Sequence, residues 1–165
     1  MAHMNPDDPI EAVQFNWPTA ELDPIARMRA LVAALPHAAS DETVFDVPFD
    51  TLWSFIEDLE TNVPQFENAV GRLRIVDREG ERLKVDTRSP MGIPMRFDVV
   101  LKSGWCLMSS TRGQIGMAAH PLGETRTRFF HFERSARLSR VARPFFAWNI
   151  QQDFRKIRSL LDESS

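Results

Sequence analysis

Val47-Pro48-Phe49-Asp50-Thr51-Leu52-Trp53 is where the backbone changes habit. Just before it, Thr43-Val44-Phe45-Asp46-Val47 is rich in β-branched and aromatic residues, the composition of a short strand. Pro48 breaks that run, and Asp50 stands where a carboxylate can cap a following helix. Thr51 to Leu59 carries Leu52, Phe55, Ile56 and Leu59 at helical spacing, with Trp53 beside them, so one face is apolar. Thr61 to Asn68 predicts a second, very short helix with Pro64 in its first turn, where the missing N–H is tolerated.

Downstream the period changes from helical to alternating. Arg72 to Arg78 sets Leu73 and Ile75 against Arg72 and Arg74, and Glu79-Gly80-Glu81 turns the chain. Arg82 to Arg88 alternates again, followed by the loop Ser89 to Pro94. Met95, Phe97, Val99 and Leu101 share a face opposite Arg96 and Asp98. Trp105 to Thr111, Gln114 to His120 and Thr125 to Glu133 are three more strands, separated by the turns Arg112-Gly113 and Pro121-Leu122-Gly123. Short strands joined by Gly, Pro and Ser turns imply an antiparallel meander.

The chain closes on a helix expected over Val141 to Leu161, with Pro144 in its first turn. Phe146, Ile150, Phe154, Ile157 and Leu161 form one stripe; Phe145, Trp148 and Gln152 form an adjoining one. At about 1.5 Å per residue this helix is about 30 Å long, enough to span the sheet. Upstream, residues 1–20 hold little periodicity and are expected to be extended or mobile. Asp23-Pro24 then opens a helix whose apolar stripe is Ile25, Met28, Leu31, Val32 and Leu35. That stripe could pack on the main domain or on a second copy of the chain, so a homodimer through this N-terminal helix is possible.

The 165 residues suffice for one domain. A formal net charge of −3 removes a global electrostatic case for nucleic-acid binding. The single cysteine, Cys106, excludes an intrachain disulfide and a cysteine-rich zinc cluster. No apolar run is long enough for an integral membrane span, and the first residues lack a signal-peptide pattern, so a cytoplasmic location is the default. There is no tyrosine, which removes one common acid, base or anchor from any site.

The order strand, two short helices, six antiparallel strands, long C-terminal helix resembles the helix-grip fold of the START-like, or SRPBCC, superfamily, with polyketide cyclase/dehydrase-type proteins among its members. The local match is Val47 to Trp53, then Asp58 and Val63-Pro64-Gln65-Phe66. The implied fold class is α+β: a seven-stranded curved antiparallel sheet wrapped around the terminal helix. The resemblance covers residues 41–161; residues 1–40 are an N-terminal extension with a short helix, and 162–165 a tail. It implies a cavity between sheet and helix that binds a hydrophobic small molecule (lipid-, polyketide- or aromatic-like), or a cyclase/dehydrase-type enzyme working in the same cavity. Whether a reaction is catalysed stays open.

Alternation nominates the lining residues, since one face of each strand points inward. They are Met95, Phe97 and Val99, then Phe129 and His131 on the last strand, and Phe145, Trp148 and Gln152 on the helix. Phe130 and Phe132 share the opposite parity with Arg126 and Arg128, which leaves the inward face of that strand ambiguous. The loops 89–94, 112–113 and 134–140 should cluster at one end as the mouth.

His131 and Glu133 are the candidate catalytic residues. Two apart on a strand, they share a face at about 7 Å and could transfer protons on a bound carbonyl or hydroxyl. The plainer alternative has His131 bonded to a neighbouring strand and Glu133 at the rim, paired with an Arg. His120 could approach both if the last two strands pair, but the spacing is no metal signature; neither metal nor cofactor is expected. The arginines from Arg134 to Arg143 could attract an acidic ligand, an anionic surface or an acyl carrier protein, or be a solvated loop offset by acidic residues near the N-terminus.

Overall fold

Strand and helix signals decide where each element begins, and the computed structural model describes them over residues 21–137 and 140–163. The order is α1 (Pro24–Ala33), β1 (Ala39–Phe45), α2 (Phe49–Glu57), α3 (Leu59–Phe66), β2 (Arg72–Glu79), β3 (Arg82–Arg88), β4 (Pro94–Lys102), β5 (Trp105–Ser109), β6 (Gly113–Pro121), β7 (Thr127–Ser135), a 3-10 turn (Arg140–Ala142) and α4 (Arg143–Glu163). The expected extended stretch 1–20, with Asp7, Asp8 and Glu11, lies outside the described residues, as do 138, 139 and the chain end.

The seven strands form one antiparallel sheet in the order β1-β7-β6-β5-β4-β3-β2. Six strands run as a meander; β1 instead joins the far edge, beside β7. The pair α2–α3 therefore carries the chain from one edge of the sheet to the other. The sheet curves around α4, the fold class the sequence predicts.

Local chemistry sets the boundaries. Asp23 caps α1 by accepting from the Ala26 N–H at 2.8 Å, and Pro24 follows in the first turn. Two expectations are corrected here. Pro48, not Asp50, holds the N-cap position of α2, so Asp50 lies within the first turn, where its charge suits the helix dipole. Asp58 caps α3, accepting from the Thr61 N–H at 3.4 Å, which starts that helix at Leu59 and leaves Pro64 inside it rather than in its first turn.

Two apolar layers result. The inner one joins Leu52, Ile56 and Phe66 of α2 and α3, Val85, Phe97, Met108 and Phe129 of the sheet, and Ile150, Phe154 and Ile157 of α4. The outer one lies under α1, where Ile25 and Met28 meet Ala118, Phe130 and Phe132. α1 thus spends its apolar stripe on its own sheet, and a homodimer through this helix would have to form without Ile25 and Met28. Because β7 is covered on both faces, Phe129 to Glu133 are all buried, which is why their alternation was unreadable.

Candidate functional site

A cavity of about 390 Å³ opens at one end of the inner face. Its walls are Thr87 of β3, Met95 and Phe97 of β4, Ile115 of β6, Glu133 of β7, Ala69 and Val70 before β2, and Phe146 of α4. Ser89, Arg112 and Arg137, from the three loops expected to form the mouth, also line it. The lining is largely apolar and the volume suits a small organic ligand. A larger concavity of about 540 Å³ lies elsewhere, on the outer face of β2–β4, between Arg72, Arg74, Asp86, Arg88 and Arg96.

Beyond Glu133 the cavity gives way to a buried polar cluster. His131, Glu133, Glu67 and Asp153 are each at most 3% exposed. β7 supplies His131 and Glu133, the C-cap of α3 supplies Glu67, and α4 supplies Asp153. The His131 Nδ1–H donates to the Gly116 carbonyl on β6 at 2.9 Å. Its Nε2 faces Asp153 Oδ2 at 3.3 Å, Glu67 Oε2 at 3.5 Å and Glu133 Oε1 at 3.6 Å. These are charge contacts rather than hydrogen bonds. The Asn149 amide donates to Glu133 Oε1 at 2.8 Å, the Ala69 N–H donates to Glu67 Oε1 at 3.1 Å, and Asn68 donates to Asn149 Oδ1 at 2.6 Å. Lys156 reaches Asn68 from α4.

Burial by itself would push the His131 pKa down, but the three facing carboxylates outweigh it and hold that pKa well above its ordinary value. Burial raises Asp153 to about 7, with Glu67's charge adding to the rise. Glu133 is raised too, first by burial and then by Glu67.

No protein-family profile matches the chain, and no curated protein does. Solved structures do. A START superfamily protein from Mycobacterium smegmatis superposes at a TM-score of 0.60 with 12% identity, over 78% of this chain and 99% of that one. The fold is START-like. The Zhui aromatase/cyclase from Streptomyces sp. R1128 superposes at 0.56 with 10% identity, over 76% of this chain and 93% of the other. A norcoclaurine synthase point mutant from Thalictrum superposes at 0.55 with 13% identity, over 77% and 94%.

Within this START-like frame, Met95 and Phe97 line the cavity, while Val99 and Phe129 are closed into the core at 2% and 0% exposure. His131 lies in the polar cluster, and Glu133 belongs to both cluster and cavity wall. Phe145 and Trp148 require correction: at 59% and 56% exposure they turn to solvent and do not line the cavity. α4 seats the stripe Phe146-Ile150-Phe154-Ile157 against the sheet, which rotates the adjoining stripe outward. Gln152 stays with that outer stripe; in the orientation that satisfies its amide, its oxygen accepts from Trp148 Nε1 at 3.3 Å and Arg155 Nη1 at 3.2 Å. Glu133 is not at the rim, and His120 is remote from the cluster: it pairs with Arg128, whereas Glu133 pairs with Ile115. Trp53 is buried in the core and stacks on Phe49.

Sequence reasoning missed Glu67, Asn149 and Asp153. Asp153 had a signal, because it falls between Ile150 and Ile157 on an otherwise apolar stripe, where a carboxylate needs partners. Glu67, at a helix end, had none. Cys106 is fully buried, and burial pushes its thiol up to about 12. At pH 8 iodoacetamide should therefore leave the native thiol unlabelled over the time in which urea-unfolded protein is fully labelled. Equal labelling by intact mass would contradict this burial.

Proposed function

We propose that this chain binds an apolar small molecule, lipid-, polyketide- or aromatic-like, in the cavity between the curved sheet and α4. The observation that carries the reading is the 390 Å³ apolar cavity on the inner face, walled by Met95, Phe97, Ile115 and Phe146. Arg112 and Arg137 at its mouth suit a ligand with an apolar body and an acidic group. Arg134 is less available: it donates to the Pro36 carbonyl at 3.0 Å and to Gln114 Oε1 at 2.7 Å.

The fluorescent dye anilinonaphthalene sulfonate has that chemistry and serves as a probe. It should bind the folded protein saturably at one site. Ile115→Trp, which fills the cavity from β6, should weaken binding at least about tenfold, equivalent to about 1.4 kcal/mol. Circular dichroism shows whether the variant is folded. Equal affinity in a folded Ile115→Trp protein would remove the cavity as the binding site. Native mass spectrometry of protein purified without organic solvent would then identify any co-purified ligand.

One observation favours a second reading, acid–base catalysis of the cyclase or dehydratase kind. Glu133 is part of the cavity wall and also faces the His131 imidazole. With a substrate in hand, Glu133→Gln should lower kcat while leaving KM nearly unchanged. Unchanged turnover would remove the assignment.

A further inference from the structure

Four side chains converge in the cluster with their ligating atoms all within 4.8 Å of one another. Three are carboxylates, so with all three ionised the formal charge is negative even beside a protonated imidazole. Burying that charge is costly unless something positive sits within it. Among the described residues the nearest lysine, Lys156, stops at Asn68, two side-chain hydrogen bonds short of Glu133.

The orphaned atoms mark the place. Glu67 Oε2, His131 Nε2 and both Asp153 carboxylate oxygens are buried and make no hydrogen bond. The opposite sides of these groups are held. Gly116 takes the His131 Nδ1–H, which leaves Nε2 facing the carboxylates as the atom that could ligate an ion once its proton is displaced. Ala69 and Asn149 donate to Glu67 and Glu133. An imidazole fixed through its far nitrogen by a backbone carbonyl, among carboxylates that themselves accept hydrogen bonds, is how metal ligands are oriented.

The spacing of the His131 Nε2 contacts suits a metal better than a shared proton, within a set of four ligating atoms that lie up to 4.8 Å from one another. A proton between Nε2 and one carboxylate would draw that pair to about 2.7–2.9 Å. A cation held tetrahedrally at about 2.0–2.2 Å keeps its ligand atoms about 3.3–3.6 Å apart. From His131 Nε2 the three carboxylate oxygens lie at 3.3, 3.5 and 3.6 Å.

We propose that Glu67, His131, Glu133 and Asp153 form a binding site for a divalent first-row transition-metal ion, with one imidazole nitrogen and three carboxylate oxygens as donors. This donor set suits Zn²⁺, Fe²⁺ or Mn²⁺. Glu133, shared with the cavity wall, gives the ion a route in and sets it at the inner end of the ligand cavity. The assignment does not depend on what the cavity binds. It does occupy the lone pair that acid–base catalysis by His131 would need.

The test uses the full-length protein, stripped with a chelator and titrated with Zn²⁺ by calorimetry, with thermal unfolding followed in parallel. One ion should bind per chain and raise the melting temperature. Asp153→Asn and Glu67→Gln, near-isosteric with the native residues, should each weaken binding at least tenfold and abolish the thermal shift. His131→Ala should do the same, but the conservative pair keeps the result readable if that variant does not fold. Absence of saturable binding of Zn²⁺ and Mn²⁺ at millimolar concentration would overturn the proposal. So would wild-type affinity in folded Asp153→Asn and Glu67→Gln proteins, which would place the ion elsewhere.

Discussion

Phe154→Ala should cost about 3–5 kcal/mol of folding stability, whereas Trp148→Ala should change it by no more than about 0.5 kcal/mol. Both are aromatic residues of α4, six positions apart, and sequence alone offers either for burial. Phe154 is 2% exposed, and its ring meets Phe45, Phe129 and His131 edge-on or tilted at centroid distances of 6.0–6.5 Å. Truncation loses the transfer energy of the ring and leaves a void that helix, sheet and polar cluster cannot all close. Trp148 is 56% exposed, with a tilted contact to the Phe145 ring. Urea unfolding followed by circular dichroism measures both. Comparable losses would mean that α4 is rotated relative to the sheet, and the cavity and cluster geometry would be wrong with it.

Gly116→Ala should be a damaging single-methyl addition on the outer face, costing about 1–3 kcal/mol. A Cβ on Gly116 would fall 2.1 Å from Phe132 Cε1, 2.6 Å from its Cδ1 and 2.9 Å from the Met28 sulfur. Phe132 lies directly across from Gly116 on β7, fully buried beneath α1, and Met28 is fully buried on the sheet-facing side of α1. The ring can yield only by pushing α1 away from the sheet. The effect should reach the inner face as well, because the Gly116 carbonyl fixes the His131 ring. Phe132→Leu in the Gly116→Ala background should recover part of the loss, since the two substitutions share one contact. Additive losses in that double-mutant cycle would show that the clash is relieved elsewhere.

These two predictions divide where reading the sequence succeeded and where it stopped. Hydrophobic period and turn residues are local, so the meander, its turns and the stripe Phe146-Ile150-Phe154-Ile157 were legible. Val47 to Trp53 is legible for the same reason: a proline between a β-branched run and a helical stripe leaves few backbone choices. Cap positions at Pro48 and Asp58 differed from expectation by a residue or two, because several adjacent residues can start a short helix. The parity of β7 was not legible, since α1 covers its second face and removes the polar half of the alternation.

The sequence by itself determined the class of architecture: alternating strands with Gly and Pro turns, two short helices and a terminal helix long enough to span a sheet have few ways to bury their apolar faces together. Tertiary structure alone decided which stripe of α4 turns inward, that α1 rests on its own sheet, and that Glu67 and Asp153 stand beside His131 and Glu133. The reason is distance along the chain. Periodicity reports neighbours within a turn or a strand, whereas the buried cluster joins the end of α3, β7 and α4 across 86 residues, from Glu67 to Asp153, and only the packing of α3 and α4 on the sheet brings them together.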